Sequence, residues 1–221
     1  RVKIKGDGEA IFKPQSGEFW PIVDRMGGNG TLGAREKIAY TISKEMGIDN
    51  VPVTVLRKVD GMPGSVQLWI EKTKARVASS LEFKDYSAYM RAKVGTEYSK
   101  ENVRMTIFDI LIQNPDRHKG NFLIGAKKFY YIDNGYSMPN QLLAEHVISA
   151  ERFEIEVVAP HMESAFKLLG KAEMSKVKTS LENVIKSKKL EKEMSGFALG
   201  NEWAYILDRA SIMVKLIKAG L

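Results

Sequence analysis

An aspartate, an amide and a second aspartate stand at Asp116, Asn121 and Asp133 of a 221-residue chain. The first two belong to the run Asn114-Pro115-Asp116-Arg117-His118-Lys119-Gly120-Asn121, the third to Ile132-Asp133-Asn134-Gly135. Between them, Phe122 to Ile124 and Phe129 to Ile132 flank a Gly125-Ala126-Lys127-Lys128 turn, the pattern of a short β-hairpin. Centring that hairpin near Lys127 brings Asn121 and Asp133 side by side at its open end, with Asp116 leading into the same end. Hard oxygen donors so placed suit Mg²⁺, and the remaining carboxylate is free to orient or deprotonate a hydroxyl. That is phosphoryl-transfer geometry. A single Asp or Asn in a loop more often caps or turns the chain, but three at this spacing favour the chemical reading.

Other elements must hold this hairpin in place. Val2 and Ile4, a Gly6-Asp7-Gly8 turn and Ala10-Ile11-Phe12 predict a first hairpin that ends at Lys13-Pro14. A glycine-rich loop (Gly27, Gly28, Gly30, Gly33) precedes a helix predicted over 34–46, with Ile38, Ile42 and Met46 on one face and Gly47 closing it. Val51 to Leu56 and Ser65 to Ile70 read as strands about a Gly61-Met62-Pro63-Gly64 turn. A weak helical segment follows from Leu81 to Lys93, then a clear one from Asn102 to Ile112, stopped by Asn114-Pro115. Past His161 the chain is helical throughout, ending with the stripe Trp203, Ile206, Leu207, Ala210, Val214 and Ile217. Gly28 to Arg35 has the spacing of a Walker A loop, yet Ala34-Arg35 stands where Lys and Ser/Thr are required, so a Walker-type NTPase is rejected.

Composition narrows the alternatives. With 44% hydrophobic and 28% charged residues the chain is globular, and its longest uncharged run, Asn134 to Ala144, is too short to span a bilayer. The absence of cysteine excludes disulfides and thiolate chemistry, and an intracellular, cytoplasmic location is expected. Of the net charge of +7, the stretch from Lys167 to Lys192 supplies eight lysines against three glutamates. No aromatic residues interleave there, so a solvated helical face is expected and nucleic acid is disfavoured as a partner. His118, His146 and His161 lack the spacing of a transition-metal centre. The chain begins at Arg1 with no signal-like segment after it, which suggests a piece of a longer protein.

The run Asp116-Arg117-His118-Lys119-Gly120-Asn121, followed by Asp133, resembles the catalytic and metal-binding motifs of phosphatidylinositol 3/4-kinases and related atypical kinases. Phe12-Lys13-Pro14 with Glu18, Val51-Pro52, Gly64-Ser65-Val66-Gln67-Leu68 with Glu71, and Ile132-Asp133-Asn134-Gly135 are most similar to type II phosphatidylinositol 4-kinases, in order and spacing, over roughly residues 1–140. The resemblance implies an α+β, bilobal, protein-kinase-like fold. Residues 1–70 would form a small sheet-plus-helix lobe, and 71–221 a mainly helical lobe carrying the catalytic hairpin 114–135. It implies ATP with Mg²⁺, or Mn²⁺ in its place, and assigns Asn121 and Asp133 to the metal. Lys13 would reach the ATP phosphates, Glu36 would pair with Lys13, and the adenine would lie against the connector near Trp69, Ile70 and Glu71. Asp116 would act on the acceptor, with His118 beside the transferred phosphoryl.

The chain begins about where the family's phosphate-covering loop would end, so that loop is expected to lie upstream of Arg1. The expected activity is a kinase's, transfer of the γ-phosphoryl group to an alcohol. A nucleotide-binding pseudokinase acting as an interaction module, a phosphatidylinositol 4-kinase-type lipid kinase and a nucleotidyl transferase using the same residues are the alternatives. From Asn134 to Ala165 only Arg152 is basic, against Glu145, Glu151, Glu154, Glu156 and Glu163. An acidic rim of that kind favours a protein or small-molecule hydroxyl over a phosphoinositide.

Overall fold

The computed structural model describes residues 1–4, 8–19, 21, 31–71, 75–77, 97–125, 128–139 and 158–220. Strands β1 (Val2–Ile4) and β2 (Gly8–Pro14) pair antiparallel with Val2 opposite Ala10, as the alternation predicts. Strands β3 (Thr54–Val59) and β4 (Met62–Leu68) complete a four-stranded sheet in the order β1-β2-β4-β3. The turn between β3 and β4 lies two residues earlier than the sequence suggests. Asp60 (φ 50) and Gly61 (φ 80) both adopt the left-handed region of a two-residue hairpin loop, so Met62-Pro63-Gly64 begins β4 and the strand ends at Leu68. Pro63 is tolerated because pairing with β2 stops at Gly64, and no ladder bond on that side is lost. Strand β3 likewise starts at Thr54 rather than Val51. At Gly64 a Cβ would fall 2.3 Å from the Lys13 carbonyl oxygen, so only glycine lets β4 lie this close to the strand that carries Lys13.

Helix α1 (Leu32–Glu45) starts two residues before its predicted limit because its first amides are capped by side chains. Thr31 Oγ1 accepts from the Ala34 amide (3.0 Å), and the Glu18 carboxylate accepts from Leu32 (3.0 Å) and Gly33 (2.9 Å). Strands β5 (Ala75–Val77), β6 (Phe122–Gly125) and β7 (Phe129–Tyr131) form a second antiparallel sheet. The remaining helices are α2 (Glu97–Ile112), α3 (Ala159–Lys186), α4 (Lys188–Gly196) and α5 (Gly200–Ala219). Helix α3 is two helical segments joined at Gly170, whose φ of 75° breaks the run. The segment 81–93, predicted as a weak helix, lies outside the described residues, as do Gly27, Gly28 and Gly30.

One hydrophobic core joins Ile38 and Ile42 of α1, Phe108 and Leu111 of α2, Leu181 of α3 and Ile206 of α5. Among the described residues, the four-stranded sheet contributes none of the buried side chains of that core. The stripe read from the last helix is buried as expected at Trp203, Ile206, Ala210, Val214 and Ile217. Helix α1 thus presses its apolar face into the helical body while its first turns face the sheet. No helix among the described residues is long and apolar enough to cross a membrane.

Candidate active site

The site is built where β2, α1 and the β6–β7 hairpin meet. Helix α2 stops at Ile112 because Gln113 turns left-handed (φ 47) and Asn114 Oδ1 accepts from the Asp116 amide (3.0 Å), an Asx turn that launches the loop. Arg209 of α5 secures this end of α2. Its Nε donates to the Leu111 carbonyl (2.8 Å) and its Nη1 to Gln113 Oε1 (3.1 Å), and burial pulls the guanidinium down to about 10.

Strand pairing fixes the hairpin's register. Phe122 faces Tyr131, so the hairpin axis falls between residues 126 and 127 rather than at Lys127, and the Ile132 amide donates to the Asn121 carbonyl (3.1 Å). Asn121 therefore stands opposite Ile132, with Asp133 one residue beyond. There Asp133 takes a left-handed conformation (φ 56) that Asp and Asn tolerate better than most residues. The predicted convergence holds, offset by one position.

Arg117 locks the loop. Its guanidinium donates to both Asp109 oxygens (2.9–3.2 Å), to the Ile132 carbonyl (2.9 Å), and to the Asn121 carbonyl and Asn134 Oδ1. One side chain thus fixes the last turns of α2, the loop and both strands of the hairpin. Burial raises the Asp109 carboxyl above its ordinary value, against the lowering by Arg117. Arg117→Met strands a buried carboxylate and is expected to cost about 3–5 kcal/mol of stability, measured by urea unfolding. A loss below about 1 kcal/mol, the scale of an exposed ion pair, would show that Arg117 does not hold the loop.

Asn121, 5% exposed, donates from Nδ2 to the Asp116 carbonyl and to Asp116 Oδ2, both at 2.9 Å. That leaves Asn121 Oδ1 as an acceptor and orients the Asp116 carboxylate. His118 Nδ1 accepts from the Gly120 amide (3.0 Å), which makes Nε2 the protonated nitrogen of the neutral ring, 3.8 Å from Asp116 Oδ1 and too far to bond. Facing these groups, Lys13 Nζ lies 2.5 Å from Glu36 Oε1 and 2.8 Å from Asp133 Oδ1. Glu36 is buried, and its second oxygen accepts from Gln67 Nε2 (3.2 Å), itself bonded to Thr54 Oγ1 (2.9 Å). Burial pulls Lys13 down, but Glu36 and Asp133 together leave it above its ordinary value. Burial raises Glu36, partly offset by Lys13 and the Asn134 amide. With its folded value raised, the Lys13 ammonium makes its full contribution to stability below the unfolded value and loses it only as pH rises through the folded one.

Lys13, Glu36, Asp116, His118, Asn121 and Asp133 all line one cavity of about 610 Å³. Trp69, Ile70 and Glu71 are not among its lining residues. The Trp69 amide donates to the Glu9 carbonyl (2.9 Å), and its ring lies under the Arg1 guanidinium at 4.0 Å. The oxygen donors suit a hard divalent cation, since Asp133 and Asn121 both line this cavity. No three His, Asp or Glu side chains among the described residues form a metal centre by themselves. Such a cation would be held by this pair together with phosphate oxygens, the usual arrangement for Mg²⁺.

Sequence reasoning missed Arg35. It is fully buried, donating from Nη1 to the Ser137 carbonyl (3.0 Å) and to that of Met138. A signal existed, since Arg35 shares the 3.6-residue stripe of Ile38, Ala39 and Ile42.

A family model, Phosphatidylinositol 3- and 4-kinase, matches residues 21–192. The chain belongs to the phosphatidylinositol 3- and 4-kinase family. Protein Rv2133c of Mycobacterium tuberculosis is 29% identical over 150 residues, covering 57% of this chain and 52% of that protein. Phosphatidylinositol 4-kinase gamma 5 of Arabidopsis thaliana is 31% identical over 131 residues, covering 51% of this chain and 20% of that protein. The chain thus spans about half of the first relative and a fifth of the second. Among solved structures, the Helicobacter pylori proinflammatory kinase CtkA matches 99% of this chain and 94% of its own, at 12% identity and a TM-score of 0.52. The Golgi casein kinase with Mn/ADP bound matches 98% of this chain and 68% of its own, at 14% identity and a TM-score of 0.53. The fold is therefore α+β, bilobal and kinase-like.

Proposed function

We propose that the chain transfers the γ-phosphoryl group of ATP to a hydroxyl. The observation that carries this reading is the convergence of Lys13, Glu36, Asp116, Asn121 and Asp133 on one cavity. A divalent cation at this site would supply positive charge against the negative charge that builds on the phosphate oxygens. Asn121 Oδ1 and Asp133 would hold it. Lys13, positioned by Glu36, meets the phosphates as a point charge. Asp116, steered by the Asn121 amide, accepts the acceptor's proton as the hydroxyl oxygen bonds to the γ-phosphorus and the bond from that phosphorus to the bridging oxygen breaks, releasing ADP. His118 flanks Asp116 and faces the transferred group. The family resemblance would place the adenine against the connector at Trp69, Ile70 and Glu71, outside the lining of this cavity, with the lobe boundary there.

The acceptor we propose is a hydroxyl on a protein or small molecule. The support is the acidic composition of 134–165, of which 140–157 lie outside the described residues. Acidic residues in the segment that follows Asp133 in sequence would disfavour an anionic head group. Incubation with γ-labelled and, separately, α-labelled ATP tests the reaction, offered with phosphatidylinositol vesicles in one arm and basic proteins in another. The γ label is expected to enter protein. Entry of the α label would make the reaction nucleotidyl transfer, and efficient lipid labelling without protein labelling would overturn the proposed acceptor.

A further inference from the structure

Arg35 is adjacent in sequence to Glu36, yet it serves a different part of the molecule. Its side chain is 0% exposed and crosses from α1 to the segment just after Asp133, donating from Nη1 to the carbonyls of Ser137 and Met138. Its Nη2 lies 3.6 Å from Glu202 Oε1 on α5, and Glu202 is itself 1% exposed. Neither Glu202 oxygen has a hydrogen-bond partner among the described residues. A buried pair with this separation is a poor source of stability, since desolvation of both charges offsets most of their attraction. Two apolar side chains would fill the same space at less cost, so the pair's presence asks for another explanation.

The backbone it grips supplies one. Asp133 and Met138, at the two ends of this segment, both hold left-handed φ values of 56° without being glycine. Such conformations persist only where the surroundings over-determine them. At Met138 the fixing contacts are the Ile112 carbonyl, accepting from its amide at 2.7 Å, and Arg35, donating to its carbonyl. Asn134 and Gly135, between the two ends, are held by Arg117 and by the approach of Leu32, whose Cβ lies 3.3 Å from where a Gly135 Cβ would be. The approach of Leu32 and the Asn134 amide beside Glu36 also join the segment to α1, but at its far end, at Ser137 and Met138, Arg35's hydrogen bonds make that link.

We infer that Arg35 is a positioning residue for the metal carboxylate: with Glu202 as its counter-charge, it couples the place of α1 to the conformation of residues 133–138. This inference rests on the reading of Asp133 as a metal ligand. Removing Arg35 should loosen the metal site without touching any group that meets the nucleotide.

The test is calorimetric titration of the full chain with ADP at a series of Mg²⁺ concentrations, alongside thermal melting. In Arg35→Met the Mg²⁺ concentration for half-maximal tightening of ADP should rise about 10–100-fold, the scale of losing a residue that supports a metal ligand. Affinity for metal-free ADP should stay unchanged, and Arg35→Lys should recover part of the effect. Arg35→Met also strands the Glu202 charge, so the double variant Arg35→Met/Glu202→Leu, which removes both charges, separates the two roles. It is expected to regain melting temperature while its Mg²⁺ requirement stays high. A normal requirement in the double variant, or equal losses with and without metal, would overturn the inference. If Arg35→Met fails to fold, the double variant and Arg35→Lys decide. Wild-type ADP binding indifferent to Mg²⁺ would overturn the metal assignment and this inference with it. If Asp133→Asn abolishes the Mg²⁺ effect but the Arg35 variants do not alter it, only the inference fails.

Discussion

Asp133→Asn lowers turnover about 10³-fold or more and leaves the melting temperature nearly unchanged. Losing the metal's hold on the phosphates removes several kcal/mol of charge stabilisation from the transfer step. The fold is spared for two reasons. The Asp133 side chain is 58% exposed, and asparagine tolerates the left-handed backbone at this position nearly as well as aspartate does. Alanine would add a conformational penalty there, so asparagine is the cleaner probe. The substitution also removes the 2.8 Å ion pair between Lys13 and Asp133, but Glu36, 2.5 Å from the same ammonium, remains to position it. Steady-state rates with calorimetry of Mg-ADP binding check this. Unchanged Mg-ADP affinity together with surviving turnover would remove Asp133 from the metal site.

Asp116→Asn separates chemistry from binding. The side chain keeps its size, and its oxygen still accepts from Asn121 Nδ2, so the loop retains its shape. What disappears is the capacity to take a proton. Turnover is expected to fall by about two to four orders of magnitude with nucleotide affinity near that of the parent, the usual scale for losing a positioned base. A tight Mg-ADP complex combined with a slow rate is the signature. A rate close to the parent's would show that Asp116 takes no proton.

The parts of this site that were legible in the sequence are the local ones. Asp116 to Asn121 lie in one short loop, and Asn121 and Asp133 are joined by a hairpin whose apolar runs announce themselves, so their meeting follows from strand pairing alone. The one-position offset arises because register is set by the turn, where the Gly125 amide donates to the Lys128 carbonyl, and a run of apolar residues does not mark that pairing. The β3–β4 turn differs from expectation for a related reason. Pro63 and Gly64 look like turn residues, yet Asp60-Gly61 makes the turn, and Gly64 serves a close approach of strands instead. Arg35, Glu202, Asp109 and Arg209 went unread because each finds its partner through tertiary packing. The spacing of charges along a chain does not say which charge meets which across a core. The family resemblance bridged that gap for Lys13 and Glu36, whose meeting across 23 residues no periodicity predicts.

The placement of α1 in the helical core also determines how the molecule comes apart. Because the sheet supplies none of that core's buried residues among those described, α1 is expected to stay with the helices while the sheet opens more readily, an order that amide exchange would read. Local opening of the cleft therefore parts the sheet from α1 rather than carrying the two away together. The contacts broken first are polar: Lys13 with Glu36, and Gln67 with the same carboxylate. Glu36 then works as a latch between two foldons, and an anionic ligand bridging Lys13 to the loop side would raise the cost of opening and slow amide exchange in the sheet more than in the helices.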